Sequence, residues 1–263
     1  MSKLKGYSLP LSPEGRANII PAPPWYYSGT LLTVEFKANP DAVAALLPEQ
    51  LEPADDPGLC TVTFADWQSC SEDKHELLDP YYAQYKEAYI TIGAKYNGRD
   101  VSRCAYIWVD KDFAMFRGLV QGFPKKIGSI EITRPVDIGI GGPRIEKGGQ
   151  LAANASVGGR RLMEARIQLE ELTNIGSSLG RKPLHHTRHF PAIDHPGAAL
   201  EELVALSIQD VEIGPIWKAS AELTFFDSPT EELSALAPIE ITGAYYHKIG
   251  YSFKGGQLLE KLI

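Results

Sequence analysis

Positive charge, sulfur and long apolar runs are all scarce in this chain of 263 residues. Its 26 Lys and Arg are outnumbered by 33 Asp and Glu, leaving a formal charge of −7 and a pI near 5.4. That balance argues against a nucleic-acid surface or an anionic membrane as partner. No apolar run approaches the roughly 18 residues of a membrane span. The opening MSKLKGYSLPLSPEGR lacks the apolar core of a secretory signal, so a cytoplasmic location is expected. Cys60, Cys70 and Cys104 stand at unrelated spacings and make neither a disulfide frame nor a zinc site. Repeats, linkers and low-complexity blocks are missing too. The expectation is one domain over residues 1–263, long enough to bury a sizeable core.

Turn residues, by contrast, are plentiful. The 24 Gly and 19 Pro are spread along the chain, and many turns in a compact chain imply many strands. TLLTVEFK alternates, with Leu32, Val34 and Phe36 on one face and Thr33, Glu35 and Lys37 on the other, the pattern of a half-buried strand. LCTVTFADW, AYITIGAKY and SRCAYIWV are further strand candidates. GSIEITRP, LAANASV and RLMEARIQLE make three more, the last two joined through Gly158-Gly159. WKASAELTFF and ITGAYYHKIGYSF alternate again, whereas LEELVALSIQDV is ambiguous between helix and strand. Two short helices are expected. One lies in NPDAVAALLP, with Asn39 as N-cap and Pro40 at the first turn; the other runs through KDFAMFRGLVQ, with Asp110 as cap and Gly122 ending it. The fold class is therefore α+β, mostly antiparallel β, with curved sheets forming a barrel-like core around a buried cavity.

QGFPKKIG, residues 121–128, is the chemically unusual stretch. A lysine pair normally sits in water, but Lys125 and Lys126 are framed by Phe123, Pro124 and Ile127. Desolvation penalises an ammonium, and a lysine kept neutral condenses with ketones to an imine that withdraws electrons from neighbouring bonds. If Pro124 starts an extended segment, the two lysines face opposite ways, Lys125 toward the cavity and Lys126 away. Tyr85 and Glu87 are two apart on a strand candidate and share a face; Arg117 and Gln121 are four apart and share a helix face.

GFPKKIG resembles the active-site signature of the acetoacetate decarboxylase-like superfamily. NPDAVAALLPEQLEP, YKEAYITIGAKYNG and IQDVEIGPIWKASAELTFFDSP are similar to further segments of that family, in the same order. The resemblance implies a Schiff-base lysine at Lys125 and an active-site glutamate at Glu87. It implies no cofactor and no metal, a small oxo acid as substrate, and a homo-oligomer. Activated lysine of this kind is a general property of the family.

Two positions depart from a true decarboxylase. The family's active-site arginine on the first strand falls on Gly29, and the run before the lysine motif reads Phe116-Arg117-Gly118. A missing guanidinium removes a bidentate carboxylate partner. Members of the superfamily that resemble this chain in carrying a glutamine four residues before the lysine, as Gln121 does, act on 2-oxo acids such as pyruvate. Their chemistry is aldol condensation with dehydration, or hydration of unsaturated 2-oxo acids. The resemblance adds tyrosine proton donors: Tyr85, and one of Tyr245 and Tyr246, which point to opposite faces. The expected function is a Schiff-base lyase on short 2-oxo acids. Acetoacetate decarboxylation by the same imine is the alternative, and a non-catalytic small-molecule binding barrel is a remoter one. A metal site in HHTRHFPAIDH, with His185 and His189 at helical spacing alongside His186 and His195, is weighed and set aside because Pro183 and Pro191 bracket it.

Overall fold

A computed structural model describes residues 3–263. The first strands in chain order are β1 (Trp25–Lys37), β2 (Glu52–Pro53), β3 (Leu59–Cys70), β4 (Gln84–Tyr96) and β5 (Arg99–Val109). Then come β6 (Lys125–Ile127), β7 (Ser129–Ile132), β8 (Gln150–Val157), β9 (Arg160–Thr173) and β10 (Leu184–Pro191). The chain ends with β11 (Ala198–Leu206), β12 (Gln209–Ile213), β13 (Ile216–Phe225), β14 (Glu240–Phe253) and β15 (Gly256–Lys261). Among the described residues three α-helices interrupt them: α1 (Pro40–Ala44), α2 (Pro80–Ala83) and α3 (Asp112–Gln121). None of the helices described is long and apolar enough to cross a membrane.

Turn chemistry accounts for much of this. Asn39 caps α1 by accepting the Asp41 N–H at 2.9 Å, with Pro40 in the first turn. Gly158 and Gly159, both at positive φ, turn β8 into β9. Asp110, expected to cap α3, instead accepts the Lys86 N–H at 2.8 Å, while Asp112 accepts the N–H of Phe113 at 2.7 Å. The ambiguous LEELVALSIQDV segment is strand, ending β11 and supplying most of β12.

The strands form one sheet in the order β15-β11-β10-β5-β4-β3-β1-β14-β13-β9-β8-β7. Pairing is antiparallel apart from β5 with β6 and β5 with β10. The mostly antiparallel, curved sheet expected from the sequence is present, but it is curled rather than closed into a barrel. Its end strand β7 comes back over β4, where Lys86 Nζ reaches the Ile130 carbonyl and the Glu131 carboxylate, both at 3.4 Å.

Curling gives the sheet two enclosed faces. Leu32, Val34, Phe36, Phe64, Ile90 and Trp108 pack on the inside of the curl against β8 and β9. The other face carries Tyr27, Ala65, Trp67, Tyr85 and Ile107 and is roofed by Phe113 and Ala114 of α3. Alternation in β1 predicts that Thr33 faces water. It is buried instead, hydrogen-bonded to Thr63 at 3.0 Å, because α3 and the segments after β9 cover that face too.

Candidate active site

The lysine motif starts where α3 stops. Gly122 adopts φ 87° and ends the helix, and the Phe123 N–H then donates to the Gly118 carbonyl at 2.9 Å. Pro124 cannot continue a helix, and the chain runs into β6, parallel to β5, with Lys125 opposite Ile107. Alternation separates the two lysines. Lys125 is 9% exposed on the roofed face, whereas Lys126 points to the other face and pairs with the buried Glu231. The Lys125 stem crosses the backbone of α3 at Gly118, where a Cβ would collide with its Cγ, Cδ and Cε.

Lys125 Nζ donates to Glu87 Oε2 at 2.9 Å, and both side chains are buried. The other oxygen, Oε1, accepts the indole N–H of Trp67 at 2.8 Å. Tyr85 and Phe123 flank the amine, with Nζ 5.4 and 5.6 Å from their ring centres. The carboxylate is thus held at both oxygens, within proton-transfer distance of the amine.

Trp67 also answers the question raised by Gly29. A Cβ at position 29 would strike its ring carbons, so the indole occupies the space over β1 where the resemblance places an arginine. The buried guanidinium here comes from α3 instead. Arg117 Nη1 donates to Ser69 Oγ at 3.0 Å, and its carbon Cζ lies 5.1, 5.7 and 5.4 Å from the rings of Trp25, Tyr27 and Phe113. Its Nε has no hydrogen-bond partner, and no carboxylate among the described residues pairs with it. Gln121, one turn further on, lies near Tyr27, as Arg117 does.

Burial keeps the surrounding phenols protonated. Tyr85 and Tyr251 are held well above the ordinary tyrosine range, first by burial and then by the negative charge of Glu87, or by Tyr27 and then Glu87 for Tyr251. Tyr251 stacks on Tyr27 with ring centres 4.9 Å apart. Tyr89 is raised in the same way, by burial and then by Glu87. Tyr89 and Tyr251 are half-buried on the same face as Glu87. An open groove of about 860 Å³ lies largely on the other side of these strands, lined by Thr30, Asp66, Lys86 and Lys248.

Of the residues singled out in the sequence, Lys125, Glu87, Tyr85, Arg117 and Gln121 come together on the roofed face. Tyr245 and Tyr246 do not. Tyr246 is buried in the opposite core, near Thr30 and Asp66. Tyr245 shares a face with Tyr251 but sits six residues away along β14, roughly 20 Å, near Glu35 and Arg181. Trp67, Ser69, Tyr27, Tyr89 and Tyr251 were missed. Alternation places Trp67 and Ser69 on one face of LCTVTFADWQSC, but nothing local says that this face is the enclosed one. The histidine segment is strand β10, not helix, and among the described residues no group of three or more His, Cys, Asp or Glu side chains can hold a metal.

Comparison with known proteins shows the family. The model of the acetoacetate decarboxylase family matches residues 8–262, and the chain belongs to that family. The enduracididine biosynthesis enzyme MppR complexed with pyruvate is 41% identical with a TM-score of 0.94, covering 99% of this chain and 100% of its own. MppR has also been solved with the condensation product of pyruvate and imidazole 4-carboxaldehyde; that structure gives a TM-score of 0.93 at 41% identity over 98% of this chain and 97% of its own. An acetoacetate decarboxylase-like enzyme from Sphingomonas wittichii RW1 is 29% identical with a TM-score of 0.89, over 98% of this chain and 100% of that one. No curated protein matches the chain.

Proposed function

We propose that this member of the acetoacetate decarboxylase family is a Schiff-base lyase that acts on pyruvate or a similarly short 2-oxo acid, by aldol condensation with dehydration or by hydration of an unsaturated 2-oxo acid. The carrying observation is the pairing of a buried amine already matched to a carboxylate, Lys125 with Glu87, with a second buried cation that has no carboxylate of its own, Arg117. A 2-oxo acid fits both: its ketone meets the amine, and its carboxylate meets Arg117, Gln121 and the Tyr27 hydroxyl. The pyruvate complex of MppR, at 41% identity, supports the same substrate class.

Glu87 takes a proton from the Lys125 ammonium, and the neutral amine adds to C2 of the oxo acid. The carbinolamine loses water to give the iminium. Loss of a C3 proton makes an enamine, which adds to an aldehyde carbon and leaves an alkoxide that is protonated. Loss of a second C3 proton expels that hydroxyl as water, and hydrolysis of the imine then releases an unsaturated 2-oxo acid and regenerates Lys125. Tyr85 and Tyr251, kept protonated by burial, are the donors placed beside Glu87 for these steps. Trp67 over Gly29 distinguishes this pocket from one built around an arginine on β1. Self-association belongs to the same reading, supported by the exposed Leu77 and Leu78 just before α2 and Tyr81 and Tyr82 within it.

Borohydride reduction in the presence of pyruvate tests the reading. Mass spectrometry should find the reduced adduct on Lys125 and none in Lys125→Ala, while acetoacetate should release little CO2. Absence of the adduct overturns the imine, and rapid CO2 release replaces the lead with decarboxylation.

A further inference from the structure

A carboxylate offers two oxygens, and at Glu87 only one of them meets the amine. Oε2 accepts from Lys125 Nζ at 2.9 Å and Oε1 from the Trp67 indole N–H at 2.8 Å, with all three side chains buried. Among the described residues no other side chain donates to this carboxylate. The indole itself is held in place by its neighbours. Gly29 lies opposite Trp67 and lacks the Cβ that would fall on the ring carbons. Tyr27 and Tyr251 meet the ring edge to face, with centres 6.1 and 5.6 Å away. Packing alone does not call for the hydrogen bond. Trp108 is fully buried with its N–H unmatched, and Trp25 donates to the Pro21 carbonyl at 3.1 Å. At Trp67 the donor is committed to the carboxylate that pairs with Lys125.

We infer that Trp67 is a positioning residue that confines the exchangeable proton of Glu87 to Oε2, the oxygen beside Lys125; the inference rests on the imine reading above. An indole N–H donates and never accepts, whereas a phenol in its place could turn and accept. With Oε1 held by such a donor, a proton arriving from Nζ has to reside on Oε2. There it stays beside the nitrogen that attacks the ketone. It passes to the carbinolamine hydroxyl, which departs as water, and the carboxylate is restored as the iminium forms. A proton on Oε1 would face Trp67 instead, away from the carbon under attack. Without the indole N–H, nothing in this face stops the carboxyl group from turning to that state.

The pH profile of pyruvate trapping at Lys125, with cyanoborohydride as reductant, tests this. Trp67→Phe keeps a ring over Gly29 and removes the donor. A donor to a carboxylate favours its charged form. The acid limb, where the Lys125–Glu87 pair takes up its second proton, should therefore move up by about 1–2 pH units. The pyruvate concentration that half-saturates trapping should not change. Trp67→Gln is the converse variant. Its amide nitrogen stands as many bonds from Cβ as the indole nitrogen and donates without a ring, so its limb should stay near that of the unmodified protein. A merely structural role would lower trapping at every pH and leave both limbs in place, which overturns the inference. Equal displacement in the two variants overturns it too, because the ring and not its N–H would then matter. In the unmodified protein, isotope-labelled at its 4 tryptophans, one indole N–H resonance should follow the same limb; if none does, the inference falls without any variant. Failure of the unmodified protein to trap pyruvate at any pH would instead remove the imine reading, and this inference with it.

Discussion

The aliphatic stem of Lys125 rests on the helix backbone at Gly118, where a side chain would occupy the same space. The helix that supplies Arg117 and Gln121 therefore also fixes where the amine arrives. Absence of a Cβ is what allows the amine to lie 2.9 Å from Glu87.

Gly118→Ala tests the seat of the lysine. Alanine is favoured over glycine inside a helix by about 1 kcal/mol, but displacing the Lys125 stem leaves the buried Glu87 without its cation, a loss of about 1–3 kcal/mol. Trapping by pyruvate should slow by about 100-fold, in keeping with the sensitivity of reaction to small misplacements, with a somewhat lower Tm. A variant that traps at the normal rate would show that the stem has another route.

Arg117→Gln tests the carboxylate pole. The loss of a charge-assisted pair is worth about 1.5–3 kcal/mol, so the KM for pyruvate should rise about 10–100-fold. Imine formation with acetone, which has no carboxylate, should change little. Equal losses for both ketones would mean that Arg117 supports the site only through its packing on Trp25, Tyr27 and Phe113.

Lys126→Ala should leave trapping at Lys125 intact, since the two side chains lie on opposite faces of β6. Its cost is in stability. Glu231, buried, loses its cationic partner, and an unsatisfied buried group costs about 1–3 kcal/mol. Urea titration alongside the trapping rate checks both halves.

His186 makes stability depend on pH. It is fully buried against Phe123, with ring centres 4.1 Å apart, and accepts the Cys104 N–H at 3.4 Å. Burial, followed by the Arg103 and His185 charges, lowers its pKa from 6.5 to about 3. In the unfolded chain the imidazole takes up a proton near pH 6.5, and the folded protein takes it up only near pH 3. Between those values the unfolded state binds more protons, so stability falls as pH falls. His186→Gln should flatten the slope across pH 4–6 by about 1.4 kcal/mol per pH unit, one proton's worth. His185 and His247, lowered in the same direction by burial, keep the remaining slope from reaching zero. Chemical unfolding at several pH values measures this, and an unchanged slope would mean that His186 is protonated in the fold.

Much of the chemistry was readable from local spacing alone. Pro124 and the two-residue period of an extended chain separate Lys125 from Lys126. That period also aligns Tyr85 with Glu87, and the helical repeat aligns Arg117 with Gln121. These relations depend only on backbone geometry within a few residues. The GFPKKIG motif also carried the family, which residues 8–262 match.

The sheet's curl decided the rest. Thr33 reads as a solvent-facing residue because alternation reports two faces without saying which is enclosed. Both are, because β1 pairs with β14 from the far end of the chain and α3 roofs the polar side. The same long-range pairing seats Tyr251 on Tyr27 and leaves Tyr245, equally well aligned, roughly 20 Å along the strand. Pairing of β1 with β3 lays Trp67 across Gly29, turning what looks in the sequence like a missing arginine into an occupied surface. Which residues share a face is settled by backbone periodicity; which faces meet is settled by packing between distant segments.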